Sequence, residues 1–254
     1  MSRRGLGLRQ FLNGWIITGG GSGGLSTVSH DATLTGNGTS GSPLGVVTTT
    51  AVYIPTGGSS FSTQGSGNTI SLASPTTIAA GDAAALWIHT QGATPVTPTG
   101  WTQLEQKTVT SGQTDTLYWR SITGSESWPL VISGNSAAIY DAMCLVVRKT
   151  GGTAALDSHT SVSANSLVAV QNCAQLTTIS NNAFVAVWAC ASNSFTSQAM
   201  IGYPGIGTTM LTQPFSLNIP CLAFFEPVAG LVPLFVLTQT GGSNGYTSIA
   251  VAFA

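Results

Sequence analysis

An antiparallel all-β sandwich, jelly-roll-like and preceded by an extended N-terminal arm, is the fold class this sequence predicts. Three observations predict it. Runs rich in Val, Ile, Thr, Trp and Tyr recur at short intervals from Phe61 onward, broken by Gly-Asp, Ser-Gly-Asn, Gly-Gly and Ser-Asn turn signals. No stretch of helical period longer than about ten residues stands out. The hydrophobic fraction, 43%, supplies a sizeable core. Regularly spaced short strands of this kind close as sandwiches or barrels.

Taken in order, residues 1–24 read as an arm. Leu8 to Ile17 is apolar but too short to be stable alone, and TGGGSGG after it is a flexible linker. Arg3, Arg4 and Arg9 are three of only seven basic residues. With Phe11, Leu12 and Trp15 they are the candidate docking residues. The start SRRGLGLRQFL carries the twin arginine of an export signal, but Arg9 interrupts the apolar region and no small-x-small cleavage site follows. Residues 25–60 form a short β and linker segment, with a β pattern at Thr33 to Thr35, a turn at Gly36-Asn37-Gly38, and a resumption at Ser42 to Val46.

Residues 61–254 make the sandwich, read as one large domain rather than two repeats. Its clearest strands are expected at Thr69 to Leu72, Ala84 to His89, Thr116 to Ile122, Ala142 to Arg148, Ala183 to Ala189 and Ser248 to Phe253. Ile219 to Leu237 is the longest apolar stretch. Pro220, Glu226, Pro227 and Pro233 interrupt it, so it predicts two buried strands around a turn near Pro227 to Gly230, not a membrane span.

Charge is the outlier. Seven basic and eight acidic residues make up 6% of the chain, against about one-quarter in an ordinary domain. A 25.9 kDa monomer exposes roughly 10,500 Å². Fifteen charges then leave about one per 700 Å², close to one partner's share of a standard interface. Large patches can be buried without stripping water from a charge, which suits a part built into an assembly. A net charge of −1 leaves no footprint for nucleic acid or anionic lipid.

Enzyme chemistry finds little support. Asp31, Asp82, Glu105, Asp115, Glu126, Asp141, Asp157 and Glu226 include no two close together in a glycosidase-like pocket motif. Neither GxSxG nor a P-loop occurs. Asp157-Ser158-His159 holds triad residue types, but adjacency is not triad geometry, and the segment reads as a turn after Gly151-Gly152. His30, His89 and His159 lack ligand spacing. Cys144, Cys173, Cys190 and Cys221 form no CxxC and read as buried free thiols. The expectation is no enzyme, no cofactor and no metal. Arg120 and Glu126 are expected to pair across a turn. Tyr118 and Trp119 point to opposite faces of one strand, so one of them is expected to face outward. Trp101, Trp128 and Tyr203 are the candidate glycan contacts, with core capping the more common role for Trp101.

HDATLTGNGTSGSPLGV, residues 30–46, resembles a short segment found repeatedly in bacteriophage tail-fibre and related appendage proteins. The order TTIAAGDAAALWIHT, TPTGWTQL, DTLYWRSITGSES, AMCLVVRKTGG, then LTTISNNAFVAVWACAS, YPGIG and TSIAVAFA is similar to a β-sandwich domain of phage structural and bacterial surface proteins. The resemblance spans residues 65 to 254 and carries no catalytic set. It implies a virion structural protein, assembled in the host cytoplasm as a homotrimer. The arm would attach it to other virion proteins, and the outward domain would touch a host surface glycan. A capsid decoration or head-fibre protein is the alternative, followed by a secreted carbohydrate-binding or adhesion module and, last, a depolymerase.

Overall fold

The structure, a computed structural model, describes residues 34–35, 45–46, 51–53, 60–65, 69–73, 78–92, 94–128, 130–133, 139–149, 151–165, 170–191, 195–201, 209–212, 220–226, 228–241 and 245–254. The chain divides into two units, Met1–Thr49 and Thr50–Ala254. In the first, β1 (Leu34–Thr35) pairs antiparallel with β2 (Gly45–Val46), inside the segment that carries the tail-fibre resemblance. The arm residues Arg3, Arg4, Arg9, Phe11, Leu12 and Trp15, and the turn at Gly36 to Gly38, lie outside the described residues.

The second unit is built from β3 (Ala51–Tyr53), β4 (Ser60–Gly65), β5 (Thr69–Leu72), β6 (Ala83–Gln91), β7 (Thr102–Thr108), β8 (Gln113–Ser121), β9 (Leu130–Ser133) and β10 (Ile139–Lys149). β11 (Leu156–Ala164), β12 (Val170–Asn172), β13 (Thr177–Thr178), β14 (Ala183–Ala191), β15 (Phe195–Ile201) and β16 (Thr209–Thr212) follow. β17 (Pro220–Glu226), β18 (Gly230–Leu231), β19 (Val236–Gly241) and β20 (Tyr246–Phe253) complete it. All six clearest expected strands fall on these elements. The apolar stretch Ile219 to Leu237 contributes β17, β18 and the start of β19, with residues 228–229 as its turn. Asp157-Ser158-His159 is not a turn. It lies in β11, an edge strand whose side chains are half-buried except for exposed His159.

Every strand pairing is antiparallel, and the chain completes one sheet before starting the other. That order refines the jelly-roll-like expectation. The first sheet runs β4-β10-β6-β8-β7, with β3 sharing the β4 edge; the second runs β11-β20-β14-β17-β16. Numbered within its own half, each five-strand set has the same spatial order: first, fifth, second, fourth, third. The accessory strands repeat as well. β5 pairs β9, and β12 pairs β19, each joining the first-to-second connection to the fourth-to-fifth. The domain is one sandwich made of two copies of one topology.

A single stretch of sequence records the duplication. Thr76 to Trp87 (TTIAAGDAAALW) aligns without gaps on Thr177 to Trp188 (TTISNNAFVAVW). Gly81 and Asn182 align in it, and both take positive φ, 93° and 57°. A left-handed residue favours Gly, then Asn, and Asn182 is the sole non-glycine with positive φ among the described residues.

The two sheets pack with β6 over β14, β8 over β20 and β7 over β11. Trp87 stacks on its counterpart Trp188, ring centroids 6.5 Å apart and planes at 6°. An approximate two-fold axis therefore runs along the strands between the sheets. Trp87, Leu117, Met143, Leu145, Trp188, Ile249 and Val251 fill this central layer. The outer faces are covered too. β5 and β9 bring Ile70, Leu72 and Ile132 onto Leu86, Ile88, Tyr118 and Cys144. Cys173, Leu176, Val232, Phe235 and Leu237 cover Val185, Val187, Leu222 and Phe224. With both faces buried, β6 and β14 read as continuous apolar runs rather than alternating ones. This overturns the expectation of an outward aromatic on β8. Tyr118 is buried under the β5–β9 layer, and Trp119 packs against the central layer.

Candidate functional site

The described part of the chain holds eleven charged residues: Asp82, Glu105, Lys107, Asp115, Arg120, Glu126, Asp141, Arg148, Lys149, Asp157 and Glu226. Every one is buried or half-buried. Most are engaged inside the fold. Arg148 donates from Nε and Nη2 to the two oxygens of buried Asp82, at 2.7 and 2.8 Å. A paired guanidinium and carboxylate is how a buried acid avoids an uncompensated charge.

The densest group sits on the pseudo-dyad, one step along the strands from the stacked tryptophans. Strand register sets Asp141, His89 and Asp115 side by side across β10, β6 and β8. Period-two alternation turns all three toward the second sheet, on the face of Met143, Trp87 and Leu117. His89 Nδ1 lies 3.1 Å from Asp115 Oδ1, and Thr247 of β20 donates to Asp115 Oδ2. Cys190, the dyad counterpart of His89, meets the imidazole from β14. Burial opposes the imidazolium, but the Cys190 sulfur and the Asp115 carboxylate outweigh it and hold the His89 pKa well above its ordinary value.

Asp141 is different. Thr247 stands at its dyad-equivalent position, yet among the described residues neither Asp141 oxygen has a hydrogen-bond partner. Burial pushes its pKa up to about 6, with His89 opposing and Asp115 reinforcing the shift. Cys190 shares triad chemistry with His89 and Asp115, but all four groups are buried, and burial raises the thiol's pKa, against thiolate formation. The cluster is built to hold two sheets, not to meet a substrate. Among the described residues no His, Cys, Asp and Glu group has metal-binding geometry.

A second polar group closes the sandwich where β7 meets β11. Glu105 Oε1 lies 2.7 Å from His159 Nδ1, and Ser161 donates to Glu105 Oε2. The carboxylate is central here, so serine and histidine do not face one another as a triad requires. Beside it, Asp157 accepts from the amides of Ile179 and Ser180 at 2.8 and 2.9 Å. Ser158 donates to its neighbour Asp157 at 3.3 Å, whereas the other partners of Asp157 and His159 come from 22 to 54 residues away.

Of the candidate glycan contacts, Trp101 is buried against the outer cluster of the first sheet, with the Arg120 guanidinium 5.8 Å above its ring. Trp101 keeps 6% of its surface exposed. Trp128 is half-buried on the same cluster, and Tyr203 lies outside the described residues. Arg120 and Glu126 do pair, at 3.1 Å. Glu126 also accepts from the Thr123 and Gly124 amides, both nearby. These bonds outweigh the opposing effect of burial and hold its pKa below the ordinary value. All four cysteines are buried and free.

The exposed large apolar side chains gather mainly in the second half: Ile179, Phe225, Val228, Leu231 and Leu234. The sequence does not show this patch: Leu231 and Leu234 fall in the stretch expected to form a buried strand, and Val228 in the turn before it. No protein-family model matches the chain, and no curated protein or solved structure compared with it matches either.

Proposed function

We propose that this chain is a non-enzymatic structural protein of a bacteriophage virion, a tail fibre or similar appendage subunit. It would work as a homo-oligomer, held to other virion proteins by residues 1–24 and presenting the four-layer β domain to the host surface. The observation that carries the reading is the fate of the charges: no charged residue of the described part stands fully exposed. A freely diffusing protein relies on exposed charge for solubility, whereas a permanent part of an assembly does not. The duplicated scaffold adds rigidity, since both sheets are covered on both faces. The tail-fibre-like segment at residues 30–46 supports placement at a virion appendage.

The test is incorporation. Phage particles assembled with a chain lacking residues 1–24 are expected to lack this protein, although it still folds. Normal incorporation would contradict the docking role given to Arg3, Arg4, Arg9, Phe11, Leu12 and Trp15.

A further inference from the structure

We propose that the uncharged apolar end of the second half is a self-association surface, on which a second copy of this chain docks about a two-fold axis. The inference deepens the assembly part of the virion reading and rests on it only for its biological setting.

Ile179, Val228 and Leu231 are 74%, 65% and 65% exposed. Register places them together: Thr177 pairs with Leu231 and Thr178 with Gly230, so Ile179 continues alongside Ala229 and Val228. Leu234 and Phe225, 38% and 41% exposed, lie within three residues in sequence of Leu231 and Val228, and Phe225 is braced edge-on by Phe184 at 5.6 Å. The surrounding backbone is already satisfied from within. Ala229 N donates to Asn181 Oδ1 at 2.8 Å and Gly230 N to Thr178 Oγ1 at 3.1 Å. Asp157 takes the Ile179 and Ser180 amides. What remains outward is apolar and preformed.

The duplication shows that the fold does not require this. Ile78, the counterpart of Ile179, is half-buried against the core. The counterpart end of the first half is polar and self-bonded through Glu126, Arg120, Asp82 and Arg148. Among the described residues, the second half alone leaves large apolar side chains bare at this end.

A second copy is the occupant that charge favours. Within 177–182 and 227–238 no residue is charged; half-buried Glu226 beside Phe225, and Asp157 held by the Ile179 and Ser180 amides, are the charges at the edge. In a two-fold contact one patch meets a second copy of itself, residue i against j and j against i, so a patch of like charges repels itself and an uncharged one does not. The net charge of −1 adds no long-range repulsion. The five side chains leave on the order of 500 Å² bare, at the upper range for a monomer's largest patch. That area forms the core of an interface needing about 800 Å² per partner, with Thr177, Asn181 and Ala229 as its rim.

Light scattering on the full chain after size-exclusion chromatography tests it, with the double variant Ile179→Asp/Leu231→Asp and, as control, Val96→Asp in the first half. The expected result is a mass of two chains for wild type and control, and of one chain for the double variant with its denaturant midpoint kept. A monomeric wild type, a three-chain mass, or a dimer that survives the double substitution would overturn it. Should the double variant fail to fold, Val228→Cys with a short bismaleimide decides. The native thiols are buried, so covalent dimer at low protein concentration supports the surface and its absence contradicts it. A monomer found on virions defeats this inference alone, whereas a dimer absent from virions defeats only the virion reading.

Discussion

Replacing Asp141 by Asn should make the protein more stable at neutral pH and leave it nearly unchanged in acid. Asp141 is fully buried between the sheets, with neither oxygen bonded among the described residues. Its pKa rises from 3.8 to about 6, burial being the main cause. The folded value lies above the unfolded one, so the native state binds the proton more tightly. Stability from this group is fully present below about pH 4 and is lost as pH climbs through about 6. The loss, a little over two pK steps at 1.36 kcal/mol each, is about 3 kcal/mol. His89, also shifted upward, acts in the same direction, so the wild type should weaken steadily from mild acid to mild alkali. Asn matches the protonated acid in size and carries no charge at any pH. Guanidinium unfolding at pH 3 and 7.5 should therefore give nearly equal stabilities in acid and a gain approaching 3 kcal/mol for the variant at pH 7.5, with unchanged m-values. An Asn variant weaker than wild type at pH 7.5, or shifted equally at both pH values, would refute the reasoning.

The aligned turn residues make a matched pair of tests. Gly81→Ala should cost about 1–2 kcal/mol for its left-handed backbone, since the nearest atom to an added Cβ is 3.8 Å away. Asn182→Gly should be close to neutral; thermal unfolding of both decides, and equal losses would contradict the pairing. Gly245→Ala should be worse, because its Cβ would fall 2.7 Å from the Ala164 carbonyl oxygen. A loss above about 3 kcal/mol in denaturant unfolding is expected. Glu105→Gln should cost less than about 1 kcal/mol, as suits a half-exposed ion pair, yet hydrogen exchange should quicken in β7 and β11 while β6 and β14 stay protected. Uniform exchange across all four strands would sink the view of Glu105 as an edge clamp.

Strand positions were legible because Val, Ile, Thr and aromatic runs bounded by glycine signals depend on local chemistry. The layers were not. The outward aromatic expected on β8 presumed a solvent face, whereas β5, some 46 residues earlier, pairs with β9 to cover Tyr118. The continuous run FVAVWACA already held that information, since a strand buried on both faces has no polar side. Duplication escaped notice because only Thr76 to Trp87 and Thr177 to Trp188 still correspond, and inward positions elsewhere accept any apolar residue of similar size. His89, Asp115 and Asp141 lie 26 residues apart along the chain. Nothing short of strand register brings them into one row. Arg120 with Glu126, six residues apart across a turn, could be read directly.

The most direct test of the central claim is immunogold electron microscopy of purified particles, using an antibody to residues 61–254. Label concentrated at the tail is the result predicted for an appendage subunit. Label spread evenly over the shell would make the chain a capsid decoration, and particles free of label would contradict a virion role altogether.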